Sequence, residues 1–111
     1  MKRMAIIAAA VSMAASSAAL GCDQADAEAR WAKAEEGGVI LGVGMVNDVP
    51  SAFVDERTWR VSDLNVRTGI AETFECLIAG PGKSLAKAHI LNKGGRVLAV
   101  WDGIDDSLEI K

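Results

Sequence analysis

The feature that most limits how this chain can fold is the change of punctuation at Gly37-Gly38. Upstream, the residues are mostly alanine and charged helix formers. Downstream, short apolar runs are cut again and again by glycine, proline and Asn-Asp breaks. Closely spaced runs of that kind predict strands joined by tight turns. The whole chain has 111 residues, so the part after the break is a single small domain. It is too short for a doubly wound nucleotide-binding fold or a barrel enzyme of about 250 residues. Half of the residues are apolar, which argues against a disordered chain. The two cysteines do not make a disulfide scaffold, and one histidine with two distant cysteines makes no metal cluster.

Read run by run, residues 39–46 form an apolar strand whose two glycines suggest a bend or a close backbone approach. A turn over 47–51 follows. Residues 57–67 alternate with Trp59 and Val61 on one face, slip in phase at Ser62-Asp63, and resume at Leu64 and Val66, as a bulged strand would. Residues 72–79 place Phe74, Cys76 and Ile78 on one face of a third strand, and Gly80-Pro81-Gly82 turns the chain. Residues 83–92 read as a helix, with an apolar stripe of Leu85, Ala88 and Leu91 and with Lys83 and Lys87 on another flank. Residues 96–101 and 108–110 supply two more strands. The predicted class is therefore mainly β: a small five-stranded barrel of the oligonucleotide/oligosaccharide-binding (OB) type, with one helix between strands three and four. An open sandwich of the bacterial SH3 kind is the competing architecture. The expected core is Val39, Leu41, Trp59, Val61, Phe74, Cys76, Ile78, Leu98 and Val100.

Residues 1–21 carry Lys2 and Arg3, then an apolar run over 4–20, the layout of a secretory signal. Cys22 follows Gly21 and is a candidate lipid-attachment residue, while Ala25-Asp26-Ala27 offers another cleavage site. An exported form would also permit a Cys22–Cys76 disulfide. Residues 23–36 are good helix formers, capped by Asp23 and stopped by Gly37-Gly38. Trp31 is the one large apolar side chain there, so the helix is expected to be a tether. The expected division is a signal-like segment (1–21), a helical linker (22–38) and the barrel domain (39–111). Export to the periplasm or a lipid anchor follows from the leader; a leader that is a start-site artefact would leave the protein in the cytoplasm.

Within 39–103 the chain resembles the bacterial single-stranded-DNA-binding protein family. Val39-Ile40-Leu41-Gly42 and Asn47-Asp48-Val49-Pro50 are similar to that family's opening strand and Asp-Pro turn. Glu72-Thr73-Phe74 running into Leu77-Ile78-Ala79-Gly80 resembles its third strand. Leu91-Asn92-Lys93-Gly94-Gly95-Arg96-Val97-Leu98-Ala99-Val100 resembles its helix end and fourth strand. Gly80 and Pro81 stand where the family carries an aromatic residue. The resemblance implies an OB-fold barrel, homo-oligomers, and non-enzymatic binding of single-stranded DNA. Arg57, Arg60, Arg67, Lys83, Lys87, Lys93 and Arg96 would then steer phosphates, and Trp59, Phe74 and Trp101 would stack on bases.

The remaining chemistry is sparse. Residues 39–104 carry seven basic and seven acidic side chains, no net attraction for a polyanion. Gly80-Pro81-Gly82-Lys83-Ser84 imitates a phosphate loop opening a helix, but Leu77 occupies the position of its first glycine. A helix start there would hold one phosphate at most. His89 has no nucleophile in register, and Cys76 reads as a small buried hydrophobe. No cofactor and no metal is expected. A second function class competes with DNA binding: an exported or lipid-anchored small-barrel interaction module that binds an envelope protein, a peptide or a glycan. Loss of Lys2 and Arg3 with the leader would take the net charge from −3 to −5, which suits that class better.

Overall fold

The computed structural model describes residues 22–111, so the signal-like segment 1–21 lies outside the described residues. Helix α1 (Gln24–Glu36) begins where the Asp23 side chain accepts the Asp26 amide at 3.1 Å. An i,i+4 ion pair, Arg30 to Asp26 at 2.6 Å, supports it. Gly38, at φ +80°, takes the chain out of the helix. The helix forms as its sequence predicts, but it is not a tether. Trp31 is buried in the core and stacks on Phe74 at 5.5 Å between ring centroids.

Strands β1 (Ile40–Val46) and β2 (Val49–Val54) make a hairpin. Asn47 and Asp48, at φ 52° and 65°, form the two-residue turn whose twist matches paired strands. The predicted turn is therefore shorter than 47–51, and Val49, Pro50 and Ser51 already belong to the second strand. Two helices follow in place of the two strands expected over 57–67 and 72–79. Helix α2 (Glu56–Val61) is capped by Asp55, which accepts both the amide (3.0 Å) and the hydroxyl (2.7 Å) of Thr58. Helix α3 (Leu64–Ala79) is capped by Asp63, which accepts the Val66 amide at 2.9 Å. The phase slip at Ser62-Asp63 is thus the break between two helices, not a bulge.

The helix expected over 83–92 is a loop followed by strand β3 (Ala88–Leu91). Ala88 and Ile90 are buried on one face, and β3 pairs in parallel with β2 through Ser51–His89, Ala52–Ile90 and Phe53–Leu91. Sheet hydrogen bonds and period-two burial outweigh a stripe only two and a half turns long. Strands β4 (Val97–Asp102) and β5 (Ser107–Ile110) complete an antiparallel meander. The sheet order is β1-β2-β3-β4-β5, mixed, with β1 and β5 at its two edges. Those edges do not meet, so the sheet is open and the barrel expectation is overturned. Closure needs long coiled strands, and here the strands run to seven residues at most.

Helices α1 and α3 pack on each other and on the sheet as a second layer. Trp31, Ile70 and Phe74 share one buried cluster with Ala52, Val54, Ile90, Ala99 and Trp101. Of the expected core, Trp59, Phe74, Cys76 and Leu98 are buried, Val39 and Val100 are half-buried, and Leu41, Val61 and Ile78 are exposed. A disulfide joins Cys22 to Cys76 and so ties the start of α1 to the last turn of α3. Among the described residues no helix is long and apolar enough to cross a membrane.

Candidate functional site

The two capped helices bring the end of α2 against the start of β4. Arg67, in the first turn of α3, reaches back across the Ser62-Asp63 break. Its Nε donates to the Trp59 carbonyl at 2.9 Å and its Nη2 to the Arg60 carbonyl at 2.8 Å. The second bond satisfies a carbonyl that the helix end leaves open, while the Trp59 carbonyl also accepts the Ser62 amide at 3.2 Å. The same guanidinium lies 5.5 Å from the centroid of the Trp59 ring. Arg67 therefore sets the angle between α2 and α3.

Glu56 organises the other side. Its carboxylate accepts Arg60 Nη2 at 2.7 Å, Asn92 Nδ2 at 3.1 Å, and Arg96 Nη2. The Asn92 amide, then the Arg96 and Arg60 guanidiniums, hold the Glu56 carboxyl below its ordinary value of 4.5. One anion thus keeps two largely exposed arginines, from α2 and from the start of β4, side by side. Between them lies a cavity of about 300 Å³, lined by Glu56, Trp59, Arg60, Arg67, Arg96, Val97, Leu98, Ile110 and Lys111. Four cationic side chains and one carboxylate face an apolar floor. That composition suits an anionic group with a small apolar body.

The cavity gathers Trp59, Arg60, Arg67 and Arg96 of the residues singled out from the sequence. The others are dispersed. Arg57 is exposed on α2, Lys83 and Lys87 lie in the loop before β3, and Lys93 lies in the β3–β4 turn. Phe74 and Trp101 are core residues, 1% and 0% exposed, and Trp59 is 3% exposed, so none presents an open ring to a base. Glu56, Asn92 and Lys111 escaped sequence reasoning. The spacing of Glu56 and Arg60 on a helix was the available signal for the first, but only if 56–61 was read as helical.

A second group of titratable residues lies at the other end of β4. Glu75 is buried, and its Oε2 accepts the Leu85 amide at 2.8 Å. The Gly103 amide donates to the Leu85 carbonyl at 2.9 Å. A Cβ on Gly103 would stand 2.0 Å from Glu75 Oε2 and 2.2 Å from the Leu85 carbonyl oxygen. Burial pushes Glu75 up, with the Leu85 amide opposing. Glu72 is pushed up to about 7, first by burial and then by Asp106 and Glu75. This end is a clasp that pins the 80–87 loop. No helix follows Gly82-Lys83-Ser84, so the phosphate-loop likeness has no helix start behind it. Burial, then Lys87 and Lys111, pulls His89 down. Among the described residues no group of three or more His, Cys, Asp or Glu side chains is placed to hold a metal.

Comparison of the chain with known protein families, with curated proteins and with solved structures finds no match.

Proposed function

We propose that this protein is an exported, non-enzymatic binding module that takes an anionic group of an envelope partner in the cavity between α2, α3 and the β4–β5 ends. The observation that carries the reading is the convergence of Arg60, Arg67, Arg96 and Lys111 on one cavity with an apolar floor. Glu56 opposes them there, and Glu109 pairs with Lys111 at 3.3 Å. Export is supported by the leader-like residues 1–21 together with the Cys22–Cys76 disulfide, a bond that persists in oxidising compartments.

The disulfide also bears on processing. Cleavage before Cys22 keeps the bond, whereas cleavage after Ala27 removes it with the first turn of α1. A lipid thioether and this disulfide are alternatives for a single sulfur atom. The intact mass of the natively expressed protein separates these forms. A chain that begins at or before Cys22 and gains two hydrogens on reduction is expected; acyl mass on Cys22 would mark a lipid anchor, and a full-length reduced chain would overturn export.

Single-stranded DNA is the competing ligand. It draws on the same arginines but lacks an exposed ring, and bases stacked on aromatic faces supply about 1–3 kcal/mol each in that mode. Calorimetric titration with inorganic pyrophosphate tests the anion site. Saturable binding is expected, weakened about tenfold in Arg60→Gln/Arg96→Gln and by added salt. No binding by the unaltered protein overturns the reading. A poly-dT oligonucleotide that binds more tightly than pyrophosphate, with a steep salt dependence, would favour DNA instead.

A further inference from the structure

We infer that the anion taken by the cavity is the free C-terminal carboxylate of a polypeptide whose last side chain is apolar, and that this polypeptide arrives along the outer edge of β5. The inference rests on the anion-binding reading of the cavity and names its ligand. The donors still open there fit a carboxylate. Arg67 commits its Nε and Nη2 to the Trp59 and Arg60 carbonyls, and the charge of Lys111 is offset by Glu109 at 3.3 Å. Arg60 and Arg96 remain. Each touches Glu56 Oε2 through its Nη2, and their side chains are 67% and 63% exposed. A guanidinium carries five N–H donors, so both arginines keep donors to spare beside Glu56. This pair less the resident Glu56 anion leaves a surplus of a single positive charge, which a carboxylate matches. A phosphate dianion would lie under-neutralised against Glu56.

The rest of the lining calls for an apolar body. Trp59, Val97, Leu98 and Ile110 line the same cavity, and Ile110 is 41% exposed. An inorganic anion leaves that surface in water, whereas an apolar side chain beside the carboxylate covers it. At about 300 Å³ the cavity is at the small end of ligand sites, which run to about 1,000 Å³, and suits a terminal residue better than a long acyl chain. Strand β5 supplies the approach and selects a polypeptide over a fatty acid. It forms one edge of the sheet. The Lys111 amide donates inward to the Leu98 carbonyl at 2.9 Å, so strand alternation turns the backbone groups of Leu108 and Ile110 outward. An extended segment can pair with those groups. Lying parallel to β5, it would end beside Ile110, at the cavity. With four residues, β5 templates only a short tail.

Fluorescence anisotropy of an N-terminally labelled tetrapeptide ending in leucine, titrated with the natively expressed, oxidised protein, tests the inference. Saturable binding is expected. Amidating the peptide's C-terminus should weaken it about tenfold or more, and replacing the final leucine by alanine about tenfold. Arg60→Gln/Arg96→Gln should also weaken it about tenfold, with circular dichroism checking that the variant keeps its fold. Octanoate should displace the peptide only weakly. A protein that binds pyrophosphate but not the peptide overturns this inference and leaves the anion site standing; one that binds neither overturns both. Equal affinity for the acid and the amide, or octanoate as tight as the peptide, would overturn the assignment to a peptide carboxylate.

Discussion

Strand β4 connects two ends of the molecule that treat the same side chain in opposite ways. At the Val97 end, Glu56 is ringed by Asn92, Arg96 and Arg60 and is held ionised. At the Asp102 end, Glu72 and Glu75 have no ion pair among the described residues and are pushed toward the neutral form by burial. Glu72 Oε1 is buried with no hydrogen-bond partner among the described residues. The difference lies in what surrounds the carboxylate. One end has excess cations around an open cavity. The other has closed over its carboxylates, with a glycine in contact, and is built to hold a loop.

The largest perturbation acts on the closed end, because Cys76 adjoins Glu75 there. Closing a loop over a sequence separation of 54 residues stabilises by about 4 kcal/mol in the chain-entropy description. Cys22→Ser/Cys76→Ser should lower the denaturant midpoint accordingly, and a reductant should reproduce the loss in the unaltered protein. Gly103→Ala comes next. The added methyl has nowhere to go between Glu75 and the Leu85 backbone, and such overpacking costs about 1–3 kcal/mol. An unchanged melting temperature would show that the clasp is loose.

Glu72→Gln is a smaller test, with a sign set by titration. The folded protein holds the Glu72 proton up to about pH 7, whereas the group ordinarily loses it near 4.5. Stability from this group is therefore full below pH 4.5, falls between 4.5 and about 7, and is lost above. The gap bounds the effect near 3 kcal/mol, and solvent reaching this half-buried side chain reduces it to about 1 kcal/mol. Glu72→Gln should raise the melting temperature above pH 7 and change it little below pH 4.5.

The smallest effect on stability is expected at the open end. The Glu56 ion pairs contribute above the ordinary carboxylate value and are lost as pH falls through the lowered one. Glu56→Gln should thus change stability slightly, and less in high salt. It should tighten pyrophosphate binding by freeing Arg60 and Arg96, the reverse of what removing those arginines does.

Several elements were legible from local chemistry. Asp23 and Gly37-Gly38 bound α1, Asn47-Asp48 makes the hairpin turn, and the apolar runs at 39–46, 96–101 and 108–110 lie close to β1, β4 and β5. Residues 57–79 were not legible as a strand pair. Phe74, Cys76 and Ile78 recur at period two, but Val66, Ile70, Phe74 and Leu77 recur at the helical period, and burial follows the second set. The caps Asp55 and Asp63 mark both helix starts and outweigh the alternation. For the site, arginine content was legible and the partner set was not. Glu56, Asn92 and Arg96 lie up to 40 residues apart and meet only once β3 and β4 are beside α2.

By itself, then, the sequence determined the turns, the helix caps, the two glycine stops and which side chains were apolar enough to bury. These are nearest-neighbour properties of the backbone, set within a few residues. The tertiary structure alone decided that β3 pairs in parallel with β2, that the sheet stays open, and that Arg60, Arg67, Arg96 and Lys111 share a cavity. A short apolar run fits a strand or a helix almost equally well, and the choice falls to whichever long-range partner buries it.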